Sequence, residues 1–241
     1  TEIQAAIDAV SAAGGGALYS PAGTYRVKDL KAKDKVECIG VFGAVTLKVK
    51  DSVDGKIFYN PDQLSATTVD FFSLRGLIFD GNKSLVLGST AQSAVSLSGV
   101  TYFSARDCVF QNATGYGLGF QAYAGKSSGE IGDQSEIYLE NCHFLSNGDG
   151  VGGATFDGLD VKYCDKITLI GCTANNNVDK GFDVRGKNMF IQGCHAESNT
   201  TAGFEVKANQ ETAGLITTVN VTNCEAVSNG GSGFAVYDGA G

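Results

Sequence analysis

Tryptophan is absent from this chain of 241 residues, and proline occurs only twice. No run of about eighteen apolar residues is present, which excludes an ordinary membrane-spanning helix, so we expect no membrane partner. Acidic residues outnumber basic ones by 26 to 18, and the net charge of −8 argues against nucleic acid as a partner. The seven cysteines show neither paired spacing nor a CxxC metal motif, so we interpret them as free, buried thiols.

The clearest positive feature is a repeat centred on cysteine. In each copy, apolar residues stand five and three positions before the cysteine, and another stands two positions after it. The cysteines of this template are Cys108, Cys142, Cys172, Cys194 and Cys224. In most copies an asparagine stands five positions after the template cysteine, and one related copy has Leu77 in place of the cysteine. These asparagines are Asn82, Asn147, Asn177, Asn199 and Asn229. A repeat of about 20–30 residues built from short alternating strands is typical of a solenoid.

Each repeat predicts one coil of an all-β parallel β-helix. Three short strands with corners between them close a coil, and the next coil stacks about 4.8 Å above it. Small cysteine and alanine side chains fit the narrow interior, and the 33 glycines suit the many tight corners. We expect the stacked asparagine side chains to bond to each other along one corner.

One β-helix domain is predicted to span residues 1–241. Residues 1–13 have apolar positions at helical spacing and end at a run of three glycines, so they predict a short helix that caps the open end. Residues 14–68 would form the first coils, and residues 69–241 the regular ones. The last coil carries no cap, so we expect either a longer natural protein or a partner subunit at that end.

Two columns of charge are predicted on the strand that follows each asparagine corner. The copies "GLDVK", "GFDVR" and "GFEVK" place apolar residues inward and their neighbours outward. The acidic column is Asp160, Asp183 and Glu205. The basic column beside it is Lys162, Arg185 and Lys207.

These columns have two interpretations. The first is a lattice of exposed ion pairs, each contributing about 0–1 kcal/mol to stability. The second is a glycan cleft, in which stacked carboxyls raise each other's pKa and supply a general acid, base or nucleophile. A carboxyl pair about 5 Å apart suits a retaining glycosidase, and Asp160 with Glu205, two coils apart, approaches the inverting spacing. A lyase would instead use a cation of the basic column to neutralise a uronate and a Lys, Arg or Tyr base.

Residues beside these strands complete the candidate site. We assign Tyr116, Gln121 and Tyr163 to substrate binding, and Phe120 is a further ring that would stack on a sugar. Asp149, Asp157 and Asp179 lie at Gly- and Asn-rich corners, where Asx turns explain them and a Ca²⁺ site is the alternative. No triad, phosphate loop or dinucleotide motif is present, so we expect no cofactor.

The segments "EIQAAIDAVSAAGGGALYSPAGTYRV" and "LRGLIFDGNK" resemble the pectate-lyase-like superfamily of single-stranded right-handed β-helices. That superfamily includes phage tailspike depolymerases and alginate C5-epimerases. The resemblance implies right-handed coils, a polysaccharide substrate, an extracellular or virion-surface location and, from the tailspikes, a homotrimer.

The epimerase pattern is only partly present in this chain. Those enzymes carry Gly-Tyr-Gly-Phe-Asp-Pro-His-Glu with catalytic Tyr, Asp and His, whereas this chain reads "GYGLGFQA" at 115–122. Tyr116 matches the family tyrosine, but Gly119 and Gln121 replace the Asp and His. The resemblance therefore favours a depolymerase, either hydrolase or lyase, with an epimerase or a non-catalytic glycan-binding segment as alternatives.

Overall fold

Three stacks of short parallel strands form the body of the molecule. The computed structural model describes residues 2–60, 69–85, 92–121, 134–149, 156–207 and 218–237, and of Tyr163 only the backbone. Each coil contributes one strand to each stack, and every pairing between the described strands is parallel. The second stack has eight strands, so the described residues form eight coils. This confirms the predicted parallel β-helix.

Strands are numbered along the chain. The first stack contains β1 (Gly16–Tyr19), β4 (Val36–Ile39), β7 (Phe72–Arg75), β10 (Tyr102–Arg106), β13 (Gln134–Glu140) and β20 (Thr218–Thr222). The second contains β2 (Gly23–Val27), β5 (Val45–Val49), β8 (Ile78–Asp80), β11 (Val109–Gln111), β14 (His143–Leu145), β16 (Thr173–Asn175), β18 (His195–Glu197) and β21 (Glu225–Val227). The third contains β3 (Leu30–Lys31), β6 (Phe58–Tyr59), β9 (Val95–Leu97), β12 (Leu118–Phe120), β19 (Phe204–Lys207) and β22 (Phe234–Tyr237).

Two long strands join the third stack to the first. These are β15 (Leu159–Ile170) and β17 (Phe182–Gln192). The N-terminal part of β15 pairs with β12 in the third stack, and its C-terminal part pairs with β13 in the first. The corner between these two stacks is therefore spanned by one strand in the coils that carry Asp160 with Lys162 and Asp183 with Arg185.

The interior of the coils is filled by vertical rows of like side chains. Phe79, Phe110 and Phe144 stack with ring centroids 4.9 and 5.3 Å apart, and Phe182 stacks on Phe204 at 4.9 Å. All seven cysteines are free thiols, buried except for the half-buried Cys224, in agreement with the prediction. Like side chains meet because each coil repeats the inward pattern of the one before it in register.

Two corners of each regular coil require a left-handed backbone. One is the residue before the template cysteine, which has φ of 50–61° at Asp107, Asn141, Gly171, Gly193 and Asn223. The other lies four residues after that cysteine, with φ of 52–59° at Asn112, Ser146, Asn176, Ser198 and Ser228. Glycine, asparagine and aspartate tolerate this region best, which explains why polar and small residues recur at both corners.

An asparagine ladder runs along the second corner, as predicted. Asn147 Nδ2 donates to Asn177 Oδ1 at 3.0 Å, and the same bond joins Asn177 to Asn199 and Asn199 to Asn229 at 2.9 Å. Each side chain also bonds to backbone groups of its neighbours, as when Asn177 Nδ2 donates to Phe144 O at 3.2 Å. Asn82 lies outside this ladder, because its amide donates to Val49 O and Asp51.

The helix α1 (Glu2–Ala12) covers the first coil. It packs on β1, β3 and β4 with Ile7 fully buried. The Gln4 amide pairs with the backbone of Lys31 at the sheet edge, accepting from its N–H at 2.7 Å and donating to its C=O at 3.4 Å. The helix is thus the predicted cap. It supplies hydrogen-bond partners to a sheet edge that could otherwise pair with another strand. With eleven residues, α1 is not a candidate for crossing a membrane, and no other helix occurs among the described residues.

We predict that Asn177→Ala lowers the free energy of unfolding by about 2–4 kcal/mol, because it leaves buried backbone and amide groups without partners. Asn220→Ala is the matched control, since Asn220 is exposed on β20. Urea unfolding of the three proteins measures the difference. Equal losses in both variants would contradict a structural role for the ladder.

Candidate functional site

The third stack holds the acidic column in one vertical line. Asp160 pairs in register with Asp183, and Asp183 with Glu205. The line continues to Gly119 on one side and to Ala235 on the other. Carboxylates that lie 23 and 22 residues apart in sequence thus become neighbours on successive coils.

The acidic side chains are buried, although they point away from the core. Asp160 is 1%, Asp183 2% and Glu205 8% exposed. The side chains of Lys162, Arg185 and Lys207 are 17–22% exposed. The expectation of exposed ion pairs is therefore wrong, since cations cover carboxylates that are removed from solvent.

Ion pairs connect the two columns both within a strand and between coils. Lys162 Nζ lies 3.2 Å from Asp160 Oδ2, and Arg185 Nη2 lies 3.1 Å from Asp183 Oδ2. Lys207 Nζ lies 3.4 Å from the same Asp183 oxygen and also pairs with Glu205. Each acidic residue is thus held by the base two positions on, and Asp183 by a second base from the next coil.

A third column completes the cluster, and the repeat does not predict that its members belong together. It consists of the residue before the glycine of each copy: Tyr116, Asp157 and Lys180 in three successive coils. Asp157 is 4% exposed. Lys180 Nζ lies 3.7 Å from Asp157 and 3.6 Å from Asp183. Because this position changes identity in every coil, no repeated residue type marks it; the glycine that follows it was the only available signal.

Tyr116 and Gln121, both predicted to bind substrate, border this cluster. Gln121 Nε2 donates to Asp160 Oδ2 at 2.5 Å, while its Oε1 accepts from Lys162 Nζ at 3.2 Å. Lys162 Nζ lies 5.7 Å from the centre of the Tyr116 ring, which packs edge-on against Phe156 at 5.0 Å. Two other predicted residues remain, Phe120 and Tyr163. Phe120 is fully buried in the core, so its prediction as a sugar-stacking ring is wrong, and the side chain of Tyr163 is outside the described residues.

A β-bulge sits beside the cluster. The register between β15 and β17 shifts between Val161 and Cys164, so the chain is irregular at the position of Lys162. The fully buried Gln134 holds the backbone at this bulge, because its Nε2 donates to the carbonyls of Gln121 and Lys162 at 3.3 Å each. β-Bulges next to functional sites commonly redirect a side chain. Here the redirected residue is Lys162, whose ammonium group lies over the Tyr116 ring.

Burial and mutual charge shift the pKa values of the cluster. Burial raises the pKa of Asp160 from 3.8, and the Asp183 charge adds to this while Lys162 opposes it. Burial and Asp160 likewise raise the pKa of Asp157. The pKa of Tyr116 is raised well above 10 by burial and by the Asp160, Asp157 and Asp183 charges. The pKa of Lys207 is lowered, chiefly by burial, with Arg185 and Lys180 adding to the effect.

Oxygen atoms of Asp157, Asp160 and Asp183 all lie within 4.8 Å of one another. Three buried carboxylates are a donor set suited to a hard divalent cation. Lys180 reaches into the same space, so a metal ion there would compete with its ammonium group.

The fold and the matched repeat define the class of protein. The family model of the right-handed β-helix region matches residues 75–241, and the chain belongs to that family. Over 90 residues the chain is 40% identical to mannuronan C5-epimerase AlgE4 of Azotobacter vinelandii, covering 34% of this chain and 16% of that protein. Mannuronan C5-epimerase AlgE3 of the same organism is 39% identical over 90 residues, covering 34% of this chain and 5% of that protein. The matched segment is thus a small part of these relatives.

A solved structure shares the fold over nearly the whole chain. The mannuronan C5-epimerase AlgE6 A-module of Azotobacter vinelandii aligns with 98% of this chain and 70% of its own, with 18% identity and a TM-score of 0.57. At that identity the likeness shows the fold alone. The resemblance to single-stranded right-handed β-helices is confirmed.

We predict that the stability of the wild type falls relative to Asp160→Asn as the pH rises from 3.8 through the raised folded-state pKa of Asp160. Because the folded-state pKa of Asp160 is raised, the folded state binds more protons than the unfolded state between 3.8 and that higher value, and folding loses stability across this interval. Thermal unfolding of both proteins over the pH series measures it. Parallel stability curves would contradict a strained carboxylate at Asp160.

Proposed function

We propose that this chain acts on a uronate-containing polysaccharide by removing the C5 proton of the sugar. The observation that carries this proposal is the layering of the cluster, with half-buried cations outside and buried carboxyls beneath them; among these, burial raises the pKa of Asp160. An anionic sugar would meet Lys162, Arg185 and Lys207 first, despite the net charge of −8. A neutral sugar has no carboxylate that could pair with these three cations.

Neutralising the sugar carboxylate makes the C5 proton more acidic, and this is the role we assign to Lys162 with Arg185. We assign proton removal to Asp160, because a carboxylate of raised pKa is a stronger base. Its Oδ1 has no hydrogen-bond partner among the described residues, so it can accept the proton once binding of the sugar carboxylate has drawn Lys162 aside from the buried carboxyl. The C–H electron pair then moves into the neutralised carboxyl group as an enolate.

Tyr116 is the proton donor in this scheme, because its raised pKa keeps the phenol protonated. In a lyase, the enolate expels the sugar oxygen at C4 with formation of a C4–C5 double bond, and the phenol protonates that oxygen. In an epimerase, Asp160 keeps the proton it removed, Tyr116 delivers its phenol proton to C5 from the opposite face, and no bond of the chain is broken. Both outcomes share every step up to the enolate.

The relatives favour this class of chemistry, because mannuronan is named as the substrate of the epimerases that this chain matches. The family Asp and His are replaced by Gly119 and Gln121, which argues against epimerisation at that coil. Asp160 lies one coil further along the same column, directly beside Gly119. Asp160 is therefore our candidate for the carboxylate missing at Gly119.

Hydrolysis is the second candidate, with Asp160 and Glu205 as a pair two coils apart and Asp183 between them. It requires two carboxyls that act on the glycosidic bond itself, and it gives the covering cations no direct part in the cleavage. A non-catalytic glycan-binding segment remains the third candidate. We extend the proposal to an extracellular or virion-surface location and a homotrimer, as in tailspikes of this superfamily.

The test is product analysis on a panel of polyuronates, including mannuronan, and of neutral polysaccharides. Ultraviolet absorbance of an unsaturated uronate identifies a lyase, and altered sugar NMR at constant chain length identifies an epimerase. New reducing ends without that absorbance, or turnover of neutral chains, would overturn C5 chemistry in favour of hydrolysis.

We predict that Tyr116→Phe lowers turnover of the active polyuronate about 100-fold or more, since it removes the proton donor but keeps the ring on Phe156. The melting temperature should stay close to that of the wild type. Tyr138→Phe is the control, because the Tyr138 hydroxyl donates to Glu140 on the first stack, away from the cluster. Unchanged turnover in Tyr116→Phe would remove Tyr116 from the mechanism.

A further inference from the structure

The Lys180 ammonium group lies among four carboxylates. Its Nζ is 3.0 Å from Asp179, 3.6 Å from Asp183, 3.7 Å from Asp157 and 3.9 Å from Glu205. The side chain is only 17% exposed. No other described lysine is paired with as many acidic residues in the structure.

Two of these carboxylates, Asp157 and Asp183, have together with Asp160 the spacing of a metal-ligand set. Calcium binds oxygens at about 2.3–2.6 Å, so two ligands of one ion lie at most about 5 Å apart. Oxygens of Asp157, Asp160 and Asp183 all fall within 4.8 Å of one another. Asp160, a member of this set, also has a buried oxygen, Oδ1, with no hydrogen-bond partner among the described residues and therefore with uncommitted lone pairs.

Local structure fixes Lys180 in this position. Its backbone N–H donates to Asp157 Oδ1 at 2.9 Å, so the same carboxylate engages both the backbone and the side chain. Asp179 is held in turn by the Thr201 hydroxyl and by the Thr201 backbone N–H, which donates to the Asp179 carbonyl at 3.0 Å. The chain therefore supplies its own cation at a defined point, one residue before Gly181.

We propose that Lys180 takes the place of a divalent metal ion at the Asp157–Asp160–Asp183 cluster, and that removing its ammonium group converts the cluster into a calcium site. Without Lys180, Asp160 keeps Lys162, and Asp183 keeps Arg185 and Lys207, but Asp157 loses the one basic side chain paired with it among the described residues. The buried cluster must then take up a proton or recruit another positive ion beside Asp157. Hard oxygen ligands at this spacing select calcium over softer transition metals.

The experiment compares the chelator-treated wild type with Lys180→Gln, a variant that keeps similar length without the charge. Calorimetric titration with calcium chloride and melting temperatures with and without calcium are the readouts. We expect no calcium binding and no melting shift in the wild type. Lys180→Gln should melt lower than the wild type in chelator, bind one calcium ion per chain and recover part of its melting temperature.

Two further variants make the result specific. Asp157→Asn added to Lys180→Gln should abolish calcium binding, because it removes one ligand. Lys166→Gln, at a lysine on the first stack that pairs with Glu136 at 2.8 Å, should show no calcium response.

Two results would overturn the proposal. The first is one-site calcium binding by the wild type that is lost in Asp157→Asn. The second is a Lys180→Gln protein that is equally folded, or equally unfolded, with and without calcium. A variant that folds only with calcium supports the proposal. None of these readouts uses turnover, so failure here is separate from failure of the proposed reaction.

Discussion

Parallel backbone hydrogen bonding between coils is the interaction on which the rest of the structure depends. It fixes a vertical spacing of about 4.8 Å and a register in which each residue lies above its counterpart in the previous coil. The asparagine ladder strengthens this register at one corner by bonding Asn147, Asn177, Asn199 and Asn229 in sequence. Every column of side chains, apolar inside and charged outside, is a consequence.

The charged cluster uses that register in a way that stability alone does not explain. Burying carboxylates costs several kcal/mol per ion unless they are well paired, and apolar replacements of buried ion pairs are often neutral or stabilising. Asp160 and Asp183 are nearly inaccessible, and burial still raises the pKa of Asp160 despite Lys162. Perturbed acids gathered with cations at one place on a sheet are typical of functional sites.

Much of the fold was predictable from the sequence, because the cysteine template repeats the same inward and outward pattern in each coil. The acidic column was predictable too, since Asp160, Asp183 and Glu205 occupy one template position. Their burial was not, because alternation tells which side of a strand a residue faces but not what covers that side. Lys180 was missed, and Asp157 was predicted only as a corner residue, because their shared position holds a different residue type in every coil. Phe120 was wrongly predicted to face a sugar although its template position points inward.

A crystal structure with a bound uronate oligosaccharide tests the central claim most directly, namely that register brings distant residues together into a site for an acidic sugar. We predict a sugar carboxylate within about 3 Å of Lys162 Nζ or the Arg185 guanidinium, with its C5 facing Asp160. An oligosaccharide bound on the first or second stack, with no carboxylate near these cations, would contradict it.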